Sequence, residues 1–323
     1  MKLLPIIDSL GRTFKTLRVS LTNSCNLGCV YCVSGTDEDD IKDDSKDGEI
    51  ISVDEILKQI KLLNEILDLE VIRLTGGEPT LYKDLLPLIA GVRELGMKEI
   101  KMTSNAFLLK NKAKALAEAG LTHLNISLDA IDPDVFFNIS RRKNIKKVIE
   151  GIDEAINSGI EVKLNSVIMK GTNDSQIIPL LEFAFDRKIV VRFLELMKMG
   201  HLQNGNFSSS FYSEEEILAV IDLKYKSLKL KRKKASTANY WETDEGQVFG
   251  VIANESEPFC NDCNRLRMDS FGNIYGCLSE NKPISILESN SALELSKKLL
   301  EALNHKQKVR FKGSEISMLA IGG

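Results

Sequence analysis

Through the first 195 residues, short apolar runs alternate with longer stretches whose apolar positions recur every three or four residues. The first pattern is that of a buried strand, the second that of a helix with one core-facing stripe. Residues 17–21 predict a strand. Val53, Ile56, Leu57, Ile60, Leu63, Ile66 and Leu67 share one helical face, with Ser52 as N-cap and Glu55 completing a capping box. Residues 71–75 predict a strand and 84–95 a helix stopped by Gly96. The unit repeats: strand 100–103, helix 110–119 ended by Gly120, and strand 123–128. Ile145, Val148, Ile149, Ile152, Ala155 and Ile156 mark a further helix, before strand 162–168, helix 175–187 and strand 190–194. Six strands with five helices between them predict an α/β fold, an incomplete parallel (β/α)6 barrel of the TIM type. Right-handed crossovers put every strand's C-terminal end on one rim, where such barrels keep their chemistry.

The period changes after Met199. Residues 201–210 are polar and rich in Gly, Asn and Ser, and 214–223 predict a short helix. Short strands are expected at 248–253, 267–269 and 273–276. The chain therefore divides into a barrel portion, 1–199, and a C-terminal α+β subdomain, 200–323. The lysine-rich run 224–234 alternates with Leu228 and Leu230 and reads as a charged edge strand. The acidic segment 37–49 reads as a solvated loop.

Charge alters this picture little. With 43 Lys+Arg against 46 Asp+Glu, the net charge of −3 provides no global excess to draw nucleic acid. No run approaches 18 apolar residues, so no membrane span is expected. Residues 1–5 lack the apolar core and cleavage site of a signal peptide, so the cytoplasm is the expected compartment.

The six cysteines alter it a great deal. Cys25, Cys29 and Cys32 form C-x3-C-x2-C directly after the first strand, at the expected rim. Cys260, Cys263 and Cys277 form a second triad, and no cysteine is left over. A long chain without a secretion signal argues against disulfides. Three thiolates suit a metal centre with one position open, as in a cubane iron–sulfur cluster. Structural zinc remains an alternative that needs a fourth ligand, and His123, His201 and His305 are all remote from the triads in sequence.

The first triad, with Tyr31 at the aromatic place before Cys32, resembles the radical S-adenosylmethionine (SAM) superfamily. Gly76-Gly77-Glu78-Pro79, after the second strand, resembles that superfamily's GGEP turn. The second triad within Phe259–Arg267, then Gly276-Cys277-Leu278, and the terminal Gly322-Gly323 together resemble the GTP 3′,8-cyclase (MoaA) family of molybdenum-cofactor biosynthesis. The resemblance runs from Phe14 to Gly323. It implies a lyase with two [4Fe-4S] clusters, on Cys25, Cys29 and Cys32 and on Cys260, Cys263 and Cys277. The free iron of the first would chelate SAM; that of the second would bind the guanine ring of GTP. A carbon radical derived from SAM would take hydrogen from ribose carbon 3′, and that carbon would then attack guanine carbon 8.

By the same resemblance, Tyr31, Gly76, Gly77, Glu78, Ser127 and Met197 would contact SAM, Tyr31 through its backbone and Glu78 by accepting from an ammonium group. Arg18, Arg73, Thr103, Lys163, Arg265 and Arg267 would contact GTP, with Arg18, Arg265 and Arg267 also catalytic. The residues agree: Arg18, Arg73, Lys163 and Arg192 lie on predicted barrel strands, where charge is costly unless a shared anion or acids such as Glu78, Asp129 and Glu195 compensate it. Gly322-Gly323 would insert toward the site. A small electron-donor protein and the next enzyme, cyclic pyranopterin monophosphate synthase, are the implied partners of a monomer or homodimer.

Two positions depart from the family pattern: Val71 stands where a basic residue is usual, and Ala106 replaces the last glycine of a T-T-N-G turn. Two other readings compete. A peptide-modifying radical SAM maturase predicts seven or more cysteines in the C-terminal region, where this chain has three. A zinc-stapled scaffold predicts a fourth ligand at each triad.

Overall fold

A computed structural model describes residues 6–33, 50–203 and 207–322. The acidic segment 37–49 and Gly323 thus lie outside the described residues. The barrel portion runs β1 (Thr16–Ser20), α1 (Val53–Leu67), β2 (Val71–Thr75), α2 (Leu85–Glu94), β3 (Glu99–Ser104), α3 (Ala113–Ala119), β4 (His123–Ser127), α4 (Pro133–Ser140), α5 (Ile145–Asn157), β5 (Glu161–Ile168), α6 (Ile177–Asp186) and β6 (Val190–Glu195). The remainder comprises α7 (Phe207–Ser210), α8 (Glu214–Asp222), β7 (Ser227–Lys229), β8 (Asn239–Thr243), β9 (Val248–Ile252), β10 (Arg265–Met268), β11 (Asn273–Tyr275), β12 (Ile284–Ser285), α9 (Ala292–Asn304) and α10 (Met318–Ile321).

The six strands of the barrel portion pair in parallel and in chain order, as expected of a partial barrel. Helix α4 was not expected. It is only eight residues long, but its start carries a readable signal: the Asp132 carboxylate caps Asp134 and Val135, and Pro133 occupies the first turn. At α1 only half of the expected capping box forms. Ser52 accepts from the Glu55 N–H, while the Glu55 carboxylate turns to Gln59 Nε2 at 2.6 Å. The full box stands at α8, between Ser213 and Glu216.

The C-terminal residues extend both edges of this sheet. β10 pairs parallel to β1 and β9 parallel to β6, giving one twelve-stranded order β12-β11-β10-β1-β2-β3-β4-β5-β6-β9-β8-β7. β10 begins at Arg265, two residues earlier than its apolar pattern suggests, because Thr16↔Arg265 and Arg18↔Arg267 are register partners. The charged β7 is the last strand at one edge, as expected of a strand that discourages further pairing. One core links both portions: Leu17, Ile72 and Leu164 share it with Phe249, Leu266 and Leu299. No described helix is long and apolar enough to cross a membrane.

Candidate active site

Alternation along a strand sends Leu17, Val19, Ile72, Leu74, Ile100 and Met102 outward to the helices, all fully buried. Arg18, Arg73, Lys101, Thr103, Asn125, Lys163 and Arg192 therefore face inward. Cross-strand register aligns Arg267, Arg18, Arg73 and Lys101 in one row over β10, β1, β2 and β3. Thr103, Asn125 and Lys163 form the next row, over β3, β4 and β5.

Among the described residues the arginines here have no carboxylate partner, whereas Lys101 and Lys163 pair with Glu99 and Glu161. Nε of Arg18, Nη1 of Arg73, Nε and Nη2 of Arg192 and Nη2 of Arg265 are buried without a hydrogen-bond partner. The acids that might have neutralised them serve elsewhere. Glu195 accepts from the backbones of Glu214, Glu255 and Ser256. Asp129 accepts from Tyr31 Oη at 2.7 Å and from the Val167 N–H at 2.8 Å. Glu78 accepts from Thr80 in its own turn and from Ser104 and Asn105 in the turn after β3. Burial, together with the neighbouring Arg192, Arg265 and Arg267, pushes Arg73 down to about 9. Burial and then Arg265 lower Arg267 to about 10, and burial with three arginine neighbours drives Arg18 well down. A cluster of guanidiniums under that strain is a receptor for a polyanion.

The two cysteine triads stand at opposite ends of adjacent parallel strands. Cys25, Cys29 and Cys32 follow the C-terminal end of β1, whereas Cys260 and Cys263 precede β10, with Cys277 after the antiparallel β11. The arginines lie between. Burial raises Cys25 to about 11, and burial with repulsion from its neighbours raises Cys29 and Cys32 further. Thiols crowded in this way become stable thiolates only on a cation, so the donor set fits a cluster. At the second triad, burial raises Cys260 to about 11. Burial alone would also raise Cys263, but Arg265 and Lys306 beside it hold it down to about 5. This set fits a cluster too. Each histidine has a partner other than a cysteine: His123 has Glu161, His201 the Val30 carbonyl inside the first triad's loop, and His305 has Glu280, three residues past Cys277.

A cavity at the first triad is lined by Cys25, Cys29, Cys32 and by all six residues expected to contact SAM: Tyr31, Gly76, Gly77, Glu78, Ser127 and Met197. Thr103 joins them; Arg18, Arg73, Lys163, Arg265 and Arg267 lie outside that lining. The glycine pair has a structural cause. A Cβ on Gly76 would stand 2.5 Å from the Thr22 carbonyl and one on Gly77 2.2 Å from that of Ser24. The turn is thus laid directly on the cysteine loop, with the Gly77 N–H donating to Thr22 O at 2.7 Å. Glu78 is spent within the protein. Its carboxylate accepts from the Thr80 N–H and hydroxyl, the Ser104 hydroxyl and the Asn105 N–H at 3.1, 2.6, 2.8 and 2.7 Å. It locks the β2 turn to the β3 turn.

The chain's end closes the site. Met318 and Leu319 line the cavity, Ser20 Oγ donates to Ala320 O at 3.2 Å, and Arg267 Nη1 donates to the carbonyls of Ile321 and Gly322. Gly322 rests on Thr75 and Gly76. The expected insertion is therefore present as far as Gly322.

Other residues escaped the sequence reading. Asn105 Nδ2 reaches Asn26 Oδ1 at 2.7 Å and Cys25 Sγ at 3.8 Å; its place in the Thr103-Ser104-Asn105 turn was the available signal. Lys306, 5% exposed, donates to the carbonyls of Arg265 and Gly276, and Arg12 donates to those of Cys260 and Gln307. No motif marks either.

Comparison with known proteins agrees with this geometry. Residues 19–184 match the Radical SAM superfamily and residues 189–312 match Molybdenum Cofactor Synthesis C. Among solved structures, Streptococcus suis SuiB bound to precursor peptide SuiA aligns over 87% of this chain and 64% of its own, with a TM-score of 0.64 and 16% identity. The structure of anSMEcpe with bound AdoMet aligns over 89% and 82%, at 0.62 and 17%. At such identities the likeness is one of fold. Curated relatives are nearer. The GTP 3′,8-cyclase of Helicobacter pylori is 36% identical over 300 residues, 92% of this chain and 91% of that protein. That of Campylobacter lari is 38% identical over 282 residues (87% and 85%), and that of Staphylococcus carnosus 40% over 279 (84% and 81%). With two cysteine triads facing one cationic lumen and relatives matched over most of their length, the chain belongs to the radical SAM superfamily and, within it, to the family of GTP 3′,8-cyclases.

Proposed function

We propose that this chain is a GTP 3′,8-cyclase, forming (8S)-3′,8-cyclo-7,8-dihydroguanosine 5′-triphosphate from GTP in the first step of molybdopterin biosynthesis. The observation that carries this reading is the cluster of buried arginines, with donors left unpartnered on Arg18, Arg73, Arg192 and Arg265, between the two cysteine triads. A polyanionic substrate held there has one triad at either end of it. In this reading residues 1–199 carry the SAM chemistry and 200–323 carry the second cluster and the tail.

Cys25, Cys29 and Cys32 would hold one [4Fe-4S] cluster, and Cys260, Cys263 and Cys277 a second. Bound there with SAM, that first cluster would supply the electron that breaks a carbon–sulfur bond of SAM and frees the carbon radical needed at ribose carbon 3′. The protein's own part is positioning. Gly76, Gly77 and Ser127 offer backbone and hydroxyl groups along the SAM cavity, with Met197 as an apolar wall and Tyr31 held by Asp129. Glu78 keeps the turn in place. Arg18, Arg73, Arg265 and Arg267, with Thr103 and Lys163, neutralise the triphosphate and fix the nucleotide across the lumen, which brings carbons 3′ and 8 together. Arg267 also anchors the tail, which excludes water from the cavity. A small electron-donor protein supplies the electrons, the next pathway enzyme takes the product, and the cytoplasm is the compartment.

Anaerobic incubation of iron–sulfur-reconstituted protein with SAM, GTP and a strong reductant, read by mass spectrometry, tests this. Deoxyadenosine together with an isomer of GTP is expected, and the isomer should vanish in Cys263→Ala. Deoxyadenosine without the isomer would overturn the substrate assignment. Its absence from protein that holds the first cluster would overturn the enzyme assignment.

A further inference from the structure

The arginine row does not stop at Arg73. Its register partner on β3 is Lys101, whose strand neighbour in turn is His123. Lys101 shares the face of Arg73 and Thr103, so it points into the same lumen. Neighbouring parallel strands lie about 4.8 Å apart, within reach of one phosphate chain.

What holds Lys101 is a weak partner. Its Nζ meets Glu99 Oε2 at 2.7 Å, two residues back on the same strand, and the Glu99 side chain is 47% exposed. An ion pair this exposed contributes little and is readily exchanged. β5 repeats the device: Lys163 Nζ meets Glu161 Oε1 at 2.8 Å, and His123 Nε2 meets the same carboxylate at 3.2 Å. Two Glu-x-Lys strand starts thus flank His123 at the solvent-open, N-terminal end of the lumen. Among the described residues no arginine of the lumen forms a salt bridge with a carboxylate, whereas the two lysines each carry one.

We propose that Lys101 is a ligand of the substrate's terminal phosphates and that Glu99 is the counterion it leaves to bind them. The inference rests on the GTP reading above and extends it. Glu99 and Glu161 keep the mouth near neutral until an anion of sufficient charge displaces them. A triphosphate spans from the arginines to the lysines; a monophosphate reaches the arginines alone. The lysine pair therefore selects for phosphate number.

Calorimetric binding of GTP, GDP and GMP to the reconstituted holoenzyme, held anaerobic and without reductant, tests this apart from turnover. Lys101→Gln should weaken GTP at least about tenfold and GMP by much less, and Lys101→Arg should retain most of the affinity. Glu99→Gln should tighten GTP about threefold or more, a gain that no merely structural role produces. It also keeps the idea testable if Lys101→Gln fails to fold. Unchanged GTP binding in Lys101→Gln, or weaker binding in Glu99→Gln, would overturn the inference. Arg73→Gln separates the two levels. If it weakens GTP while Lys101→Gln does not, only this inference falls; if neither variant changes GTP binding, the GTP reading of the lumen falls with it.

Discussion

Replacing Gly322 with alanine tests how the tail closes the site. Gly322 sits at φ 75°, and a Cβ there would stand 2.3 Å from Thr75 Cγ2 and 3.1 Å from Thr75 Oγ1. The backbone conformation costs a side-chain-bearing residue about 1–3 kcal/mol, and overpacking a buried methyl adds about 1–3 kcal/mol. The restoring side is of similar size. Burying Ile321, 1% exposed, contributes about 1.5–3 kcal/mol, and the Arg267 bonds to two carbonyls roughly as much again. A net shift of about 3 kcal/mol changes the docked-to-free ratio by about 150-fold. The docked-to-free ratio of the tail in Gly322→Ala should therefore fall by about that factor, while the core, which it does not touch, keeps its stability. Hydrogen exchange over residues 316–322 should accelerate by about two orders of magnitude, and GTP-isomer formation should fall more than deoxyadenosine formation. Gly246→Ala is the control, since its φ is also positive, at 80°, but nothing lies within 4 Å of its Cβ. Normal protection of the tail in Gly322→Ala would refute the reasoning, because the clash would then have been absorbed at no cost.

Glu78→Gln sets an amide N–H against either the Asn105 N–H or the donors of Thr80 and Ser104. It should cost about 2–4 kcal/mol in urea unfolding, and a loss under about 0.5 kcal/mol would show that the carboxylate does not lock the turns. Burial raises Asp129 to about 6, so the folded state holds this proton more tightly than the unfolded chain. Its contribution to stability is therefore lost as pH rises through about 6. Relative to Asp129→Asn, the wild type should gain about 2 kcal/mol between pH 7.5 and pH 4.5, and a flat difference would contradict the assignment. Ala106 lies fully buried at φ 61°. Ala106→Gly should change stability by less than about 1 kcal/mol, as strain relief offsets chain entropy and a lost methyl, whereas Ala106→Val should cost more than about 2 kcal/mol in thermal unfolding.

Much of this protein was legible along the chain because the information is local. Apolar period and stop residues mark β1 to β6 and most of the helices, since strand and helix each impose a repeat on the side chains they bury. The triad spacings and the glycine turn are also local, because one short loop must present three thiolates and another must lie flat on it. The eight-residue α4 escaped because its apolar stripe is too short to declare a period, although Asp132 and Pro133 mark its start.

Everything that depends on two distant segments meeting was decided by tertiary structure. That β10 adds to β1, so that Arg267 stands beside Arg18 across 249 residues of chain, follows from strand pairing, which no local pattern encodes. The same holds for Lys101 beside Arg73, for Lys306 between the two arms of the second triad, and for the tail on Thr75. Whether the lumen's arginines were salt-bridged or free could not be read from composition either. The acids are present in the sequence, and only their hydrogen bonds in the fold show that Glu78, Asp129 and Glu195 are already taken. Sequence determined which groups the protein has and the local elements that carry them. Packing decided which charges go unpaired, and unpaired buried charge is what makes this lumen a binding site.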